Sequence, residues 1–108
     1  MKSKPRLYRR RKQGNIQHLS LNLHREFFAA ILAGEKKVEY RNNTPYWRKR
    51  LLERRYQEIH FRNGYATRAP YMRVECLGIR RPNRSSGVFS IRLGKVIDSK
   101  YCAGKFRK

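Results

Sequence analysis

A large excess of positive charge limits how this chain can fold. Its 108 residues include 28 lysines and arginines against seven aspartates and glutamates, which gives a formal net charge of +21. Such a chain repels itself, so folding depends on a few apolar runs and on cations that stay in water or meet a polyanion. Its phenylalanines, tyrosines and Trp47 supply bulk for one small core, and the length leaves no room for a second.

The same composition excludes several classes of protein. No segment approaches the ~18 consecutive apolar residues of a membrane span. The basic N-terminus is not followed by the apolar core of a signal peptide. Cys76 and Cys102 are too few and too far apart for a disulfide framework or a closed zinc site. We therefore expect a reduced, cytoplasmic domain of bacterial type, with no metal, no cofactor and no membrane partner.

The kind of positive charge favours nucleic acid as the partner. Arginine outnumbers lysine by 18 to 10, and the guanidinium group binds phosphate with two parallel hydrogen bonds and stacks on bases. Aromatic residues are interleaved with the cations, as in Tyr46-Trp47-Arg48 and Phe61-Arg62, and single-stranded nucleic acid is held by such mixtures. RNA, single-stranded or structured, is the expected partner, and DNA is the alternative polymer. The competing interpretation is a solvated basic surface over core aromatics.

The chain divides into a basic arm and one domain. Residues 1–14 carry seven cations and no acid, which is typical of an arm that orders only on an anionic partner. The domain is expected over residues 15–108. Its first half predicts, in order, a strand with Leu19, Leu21 and Leu23 on one face, a helix over residues 25–33, a helix stop at Gly34, a strand over 37–41, and a helix capped by Thr44 and Pro45 that runs to Leu52.

The second half predicts mainly strands. In order, these are a strand over residues 58–62, a tight hairpin turn at Asn63-Gly64, a strand over 72–79, a polar basic loop over 80–87, and two closing strands over 88–93 and 95–97. Short strands with one or two helices near the N-terminus indicate a small α+β barrel.

The most informative motif is Gly34-x-Lys36-x-x-Glu39-x-Arg41, at the predicted passage from the first helix to a strand. Glu39 and Arg41 are two residues apart in a strand, so they project to one face. Lys36 at the preceding turn can reach the same place. It can act there as a cation that stabilises developing negative charge, or as a base or nucleophile if its pKa is depressed. The alternative is a surface ion-pair network that contributes little stability.

This motif in its strand–helix–strand context resembles the signature of the ASCH domain, a family of small PUA-like β-barrels. The resemblance implies an RNA-related role and a ligand site in the cleft between helix and barrel. Two activities are associated with such proteins, ribonuclease-type cleavage and amide hydrolysis of acetylcytidine nucleosides. The amidohydrolases resemble this chain at Lys36 but have a threonine in place of Glu39.

The expected function is RNA binding, with weak ribonuclease-type hydrolysis in a cleft formed by Lys36, Glu39 and Arg41. There Lys36 would neutralise the scissile phosphate, Arg41 would orient it, and Glu39 would act as general acid/base or position Lys36. A non-catalytic RNA-binding module and an acetylcytidine-type nucleoside amidohydrolase are the alternatives. The expected nucleic-acid contacts are Arg9, Arg10, Arg11, Lys37, Arg48, Arg80, Arg81 and Arg84.

Several other residues are open to two interpretations. Glu75 either approaches the same cleft or forms a cross-strand ion pair. Tyr46, Trp47 and Tyr65 either stack on bases or belong to the core. The three histidines show no metal-ligand spacing, and their positions in the sequence do not establish a pair poised for acid–base cleavage of RNA.

Overall fold

The computed structural model describes residues 17–84 and 87–106. These residues form β1 (His18–Asn22), α1 (Arg25–Leu32), β2 (Val38–Asn42), α2 (Pro45–Leu51), β3 (Glu58–Arg62), β4 (Tyr71–Arg80) and β5 (Val88–Lys100). The basic arm predicted over residues 1–14, with Arg9, Arg10 and Arg11, and the predicted domain start at Asn15 lie outside the described residues.

The five strands form one curled sheet in the order β1-β3-β4-β5-β2. β1 is parallel to β3, and every other neighbouring pair is antiparallel. The register between β4 and β5 shifts at three places, and such irregularities bend a strand and increase its twist. The sheet is therefore a half-barrel, and the α+β class with a small barrel-like architecture is confirmed.

The core lies against one face of this sheet. Alternate strand residues point into it, together with apolar residues of the two helices. The buried side chains of the cluster are Leu19, Leu21, Leu23, Phe28, Ile31, Leu51, Ile59, Phe61, Met72, Val74, Phe89, Ile91 and Leu93. Full burial of such a side chain stabilises the fold by about 1.5–3 kcal/mol before conformational entropy is counted. The predicted common face of Leu19, Leu21 and Leu23 is confirmed.

The first helix buries a narrower stripe than an i,i+4 pattern predicts. Phe28 and Ile31 enter the core, whereas Phe27 remains 42% exposed. The helix closes at Ala33, and Gly34 follows with φ of +81°. This left-handed conformation costs glycine little because it has no Cβ, so the predicted helix stop is confirmed.

The second helix begins as its sequence predicts. Pro45 is its first residue, and the hydroxyl of Thr44 accepts a hydrogen bond from the backbone N–H of Trp47 at 3.2 Å. This cap satisfies one of the free donors at the helix start. Among the described residues, neither helix has the length and apolar composition needed to cross a bilayer.

Two predictions in the second half of the chain are wrong, one of a turn and one of a break between strands. Asn63-Gly64 does not form a two-residue hairpin, because both residues bond to β1 and its following residue, and the connection continues to residue 70. The two predicted closing strands are one strand, β5. Gly94 lies within this strand. A glycine fits there because the Glu75 carboxylate occupies the space that a Cβ would fill.

Candidate functional site

A cleft of about 670 Å³ opens between the start of α1, strand β2 and the loop after β3. This volume is in the range of sites that hold small molecules. Its walls combine cations, aromatic rings and amides. The lining residues are Asn22, Leu23, His24, Arg25, Phe27, Lys36, Glu39, Tyr40, Arg41, Asn63, Gly64 and Tyr65.

The three residues singled out by the sequence motif meet in this cleft. Lys36 Nζ lies 3.4 Å from Glu39 Oε1, and Arg41 Nη2 lies 3.1 Å from Glu39 Oε2. Glu39 is only 6% exposed, and a carboxylate can be buried to that degree when cations pair with it. The predicted convergence of Lys36, Glu39 and Arg41 at one hollow is therefore observed.

The local sequence explains this arrangement. Side chains alternate along β2, and the strand turns Glu39 inward while Tyr40 on the opposite side remains 54% exposed. The turn at Gly34 then places Lys36 just before the strand, where its ammonium group donates to the Val38 carbonyl oxygen at 2.6 Å. An ammonium group has three N–H donors. One of them bonds to Val38 and Glu39 Oε1 lies 3.4 Å from the nitrogen, so at least one N–H can be donated to a ligand.

Aromatic rings surround the two cations. Lys36 Nζ lies 5.7 Å from the centroid of the Phe27 ring and 5.4 Å from that of Tyr40. Arg41 Cζ lies 5.1 Å from the centroid of the Trp47 ring, and Trp47 also packs against the core. Cations at these distances are attracted to the ring faces. For Trp47, the core interpretation is therefore supported, with an added role in holding Arg41.

One donor in the cleft wall has no partner. Arg41 Nε is buried and makes no hydrogen bond within the described residues. Leaving such a group unpaired costs about 1–3 kcal/mol.

The opposite wall is fixed by amide side chains. Asn22 Nδ2 donates to the Gly64 carbonyl oxygen and Asn22 Oδ1 accepts from the Gly64 N–H, both at 3.0 Å. Asn63 Nδ2 donates to the Leu23 carbonyl oxygen at 2.9 Å. These bonds hold Tyr65 at the rim, where it is 91% exposed. Sequence analysis missed Asn22 and Asn63 because their partners are about 40 residues away in the chain.

The predicted nucleic-acid contacts that the structure describes fall into two places. Arg80, Arg81 and Arg84 line a second hollow, of about 320 Å³, at the connection between β4 and β5. Arg48 is linked to it, because its Nη1 donates to Asn43 Oδ1 and Asn43 Nδ2 donates to the Arg84 carbonyl oxygen, both at 3.2 Å. Lys37 is exposed before β2 and lines neither hollow.

The other candidate residues, Glu75 and Tyr46, lie outside the cleft. Glu75 does not line the cleft, and its Oε1 accepts from the backbone N–H of Lys95 at 3.4 Å, so of its two interpretations the one that brings it to the cleft is wrong. Tyr46 is exposed, and Arg50 Cζ lies 3.7 Å from the centroid of its ring. In residues 17–84 and 87–106, no three His, Cys, Asp or Glu side chains are grouped as a metal site requires.

A second buried glutamate was missed by sequence analysis. Glu58 is 1% exposed and lies on the face of the sheet opposite the core. Its two oxygens accept from Arg73 Nε and Nη2, each at 3.0 Å, and Oε1 also faces His60 Nε2 at 2.9 Å. The ring of His18 stacks on that of His60, with 3.9 Å between the ring centroids. The i,i+2 rule that linked Glu39 with Arg41 also places Glu58 beside His60, so that signal was available.

The protonation of this cluster follows from its partners. Burial lowers the pKa of His60 below its usual 6.5, although the hydrogen bond to Glu58 opposes the shift. The imidazole is therefore neutral at pH 7. Because Glu58 only accepts, Nε2 carries the proton, and Nδ1 accepts from the Tyr71 hydroxyl at 3.1 Å. Burial also raises the pKa of Tyr71, which keeps that hydroxyl protonated.

Comparisons of this chain with protein-family models, curated proteins and solved structures returned no match. The fold and the site therefore define the class: a small α+β half-barrel with a cation-lined cleft. ASCH membership and the cytoplasmic location stay predictions from the sequence.

Proposed function

We propose that this chain is an RNA-binding domain of the ASCH family, with a PUA-like fold, and that it holds one nucleotide in the cleft of Lys36, Glu39 and Arg41. The observation that supports this most is the convergence of these three residues in a hollow of about 670 Å³. The order of elements, with α1 followed by the Gly34 turn and β2, is the order that the motif implies.

The cleft offers complementary groups for the parts of a nucleotide. A phosphate can accept from the remaining N–H of Lys36 and from the guanidinium group of Arg41, since both side chains line the cleft. Charge-assisted bonds of this kind are the stronger hydrogen bonds in proteins. A base can pack on the exposed ring of Phe27 or Tyr40, since aromatic side chains stack on any base.

The charge of the chain favours a polymer over a free nucleoside. A net charge of +21 attracts a polyanion along its whole length, whereas a neutral nucleoside gains nothing from it. The arginines around the second hollow, Arg48, Arg80, Arg81 and Arg84, would contact the sugar–phosphate backbone outside the cleft. The predicted N-terminal arm would add further phosphate contacts.

Phosphodiester hydrolysis is the second candidate, and the 3.4 Å approach of Lys36 Nζ to Glu39 Oε1 favours it. Lys36 would neutralise the scissile phosphate and Arg41 would orient it. Glu39 faces a cation at each oxygen, so positioning Lys36 is its first role. General acid/base transfer would require one of these pairs to open. The threonine of the amidohydrolases is absent at position 39, which disfavours that alternative.

One experiment tests binding and chemistry separately. Lys36→Ala should weaken binding of a single-stranded RNA oligonucleotide by at least about tenfold, because a charged hydrogen bond is lost. Glu39→Gln keeps both cations, so it should change affinity by less than about threefold while abolishing any cleavage. Fluorescence anisotropy measures the first effect and gel analysis of the RNA the second.

Lys49→Ala is the matched control, since it removes an exposed lysine of α2 that lines neither hollow. Equal affinities of the Lys36 and Lys49 variants would refute the cleft as the binding site. Cleavage that persists unchanged in the Lys36 and Glu39 variants would refute hydrolysis by these residues. Turnover of acetylcytidine, followed by mass spectrometry, would instead establish the amidohydrolase alternative.

A further inference from the structure

A smaller hollow of about 220 Å³ lies beside the cleft on the outer face of the sheet. It is lined by Ser20, Leu21, Asn22, His60, Arg62, Tyr65 and Tyr71. Asn22 and Tyr65 line both hollows. The two are therefore neighbours that share a rim, and a flexible chain leaving the cleft over this rim enters the smaller hollow.

We infer that the smaller hollow is a second nucleotide subsite, and that Tyr65 is the stacking residue between the two positions. This inference rests on the proposed function, and it names the ligand further: a single strand of at least two nucleotides, rather than a free nucleotide or a duplex.

The rim residue has the properties that stacking requires. Tyr65 is 91% exposed, more than any other large hydrophobic side chain that the structure describes. Its backbone position is held by the paired bonds between Asn22 and Gly64, and Gly64 accommodates the turn with φ of +108°. A ring presented on a fixed loop loses little conformational freedom when a base stacks on it.

The smaller hollow also offers a cation and an ordered polar floor. Arg62 is exposed, and its Cζ lies 5.5 Å from the centroid of the Tyr71 ring, so it is available to the phosphate between two nucleotides. The Tyr71 hydroxyl is oriented by His60, and His60 is oriented by Glu58. With its proton directed at His60 Nδ1, this hydroxyl presents lone pairs to a donor on a base.

Binding of oligouridylates of one, two and four nucleotides to the full chain tests this inference. We expect affinity to rise at least about tenfold from the mononucleotide to the dinucleotide, since a stacked base and a phosphate contact are added. Tyr65→Ala should lower affinity for the dinucleotide about tenfold, which is more than it lowers affinity for the mononucleotide. Arg62→Gln should lower the slope of log affinity against log salt by about 0.7 for the dinucleotide.

Two controls are matched to these variants. Tyr46→Ala removes another exposed tyrosine and Arg92→Gln another exposed strand arginine, and neither residue lines the cleft or the smaller hollow. Tyr65 and Arg62 are exposed, so thermal unfolding of their variants should match that of the wild type.

The outcomes separate this inference from the proposed function. Dinucleotide affinity that depends on Lys36 but is unchanged by both Tyr65→Ala and Arg62→Gln would overturn the second subsite and leave the cleft standing. Equal affinity for one and two nucleotides would do the same. If no oligouridylate binds in a Lys36-dependent way, the proposed function fails and this inference fails with it.

Discussion

Two buried glutamates, each held by an arginine, occupy opposite faces of the same sheet, and their surroundings differ. Glu39 is paired with Lys36 and Arg41 on the wall of an open cleft, where the Arg41 Nε is left without a partner in the described part of the chain. Glu58 is closed in by Arg73 and His60, with contacts to both of its oxygens. The group around Glu39 thus keeps a hydrogen-bond donor without a partner beside a cavity. The donors that face Glu58 are bonded to it within the fold.

This difference shows that a buried ion pair does not by itself indicate function. Buried pairs often contribute little net stability, but removal of one partner is costly because the other charge stays behind. At Glu58 the carboxylate itself is 1% exposed, and its contacts to Arg73 and His60 lie within the fold. At Glu39 the remaining cations would line a cavity of about 670 Å³ open to solvent. We therefore expect Glu58 to matter mainly for stability and Glu39 mainly for the position of Lys36 in the cleft and for any cleavage there.

The largest expected effect is the loss of stability in Glu58→Gln. This change removes the carboxylate that accepts from Arg73 and faces His60 at a position that is 1% exposed, whereas the Arg73 side chain is 31% exposed and keeps Asp98 Oδ2 at 3.9 Å. We expect the free energy of unfolding to fall by about 2 kcal/mol because of the lost hydrogen bonds, measured by urea denaturation. Glu75→Gln, which alters the strand residue opposite Glu58, is the control. A loss below about 1 kcal/mol would remove the contrast between the two glutamates.

A smaller loss is expected in Glu39→Gln. The two cations it leaves, Lys36 and Arg41, line the cleft, where solvent can screen them. We expect the free energy of unfolding to fall by about 1 kcal/mol under the same conditions. A loss as large as that of Glu58→Gln would mean that the Glu39 cluster is a structural element like the other one.

The smallest expected effect is a pH dependence carried by His60. Burial lowers its pKa in the folded state below the value of about 6.5 in the unfolded chain. The unfolded state therefore binds more protons as pH falls through 6.5, so stability decreases there until the folded pKa is passed. Glu58, His18, Arg73 and Tyr71 all face this ring.

Thermal unfolding of wild type and His60→Gln between pH 7.5 and 5 measures this effect. The wild type should lose more stability than the variant across that interval, by less than the loss in either glutamate variant. Parallel curves for the two proteins would show that His60 is not the group that titrates. Mononucleotide affinity should follow the same slope in both proteins, because His60 lines the smaller hollow and not the cleft.

The predictions that the structure confirms concern neighbours in the chain. The glycine stop at Gly34 and the cap formed by Thr44 and Pro45 depend on backbone conformation within one or two turns. The shared side of Glu39 and Arg41 depends only on strand alternation. The predictions that are wrong concern contacts across the fold. The sequence predicted a tight turn at Asn63-Gly64, but Gly64 bonds to Asn22 of β1. It also predicted separate strands on either side of Gly94, but β5 continues through this glycine, which leaves room for the Glu75 carboxylate.

The amino-acid sequence by itself determined both helices, the order of most strands and that Lys36, Glu39 and Arg41 can meet, because these relations depend on dihedral preferences and on spacings of a few residues. Only the tertiary structure decided that this group lines a cavity while Glu58 is sealed by Arg73. The pairing and curvature of five strands bring together residues far apart in the chain, and local spacing carries no information about which of them will enclose a hollow.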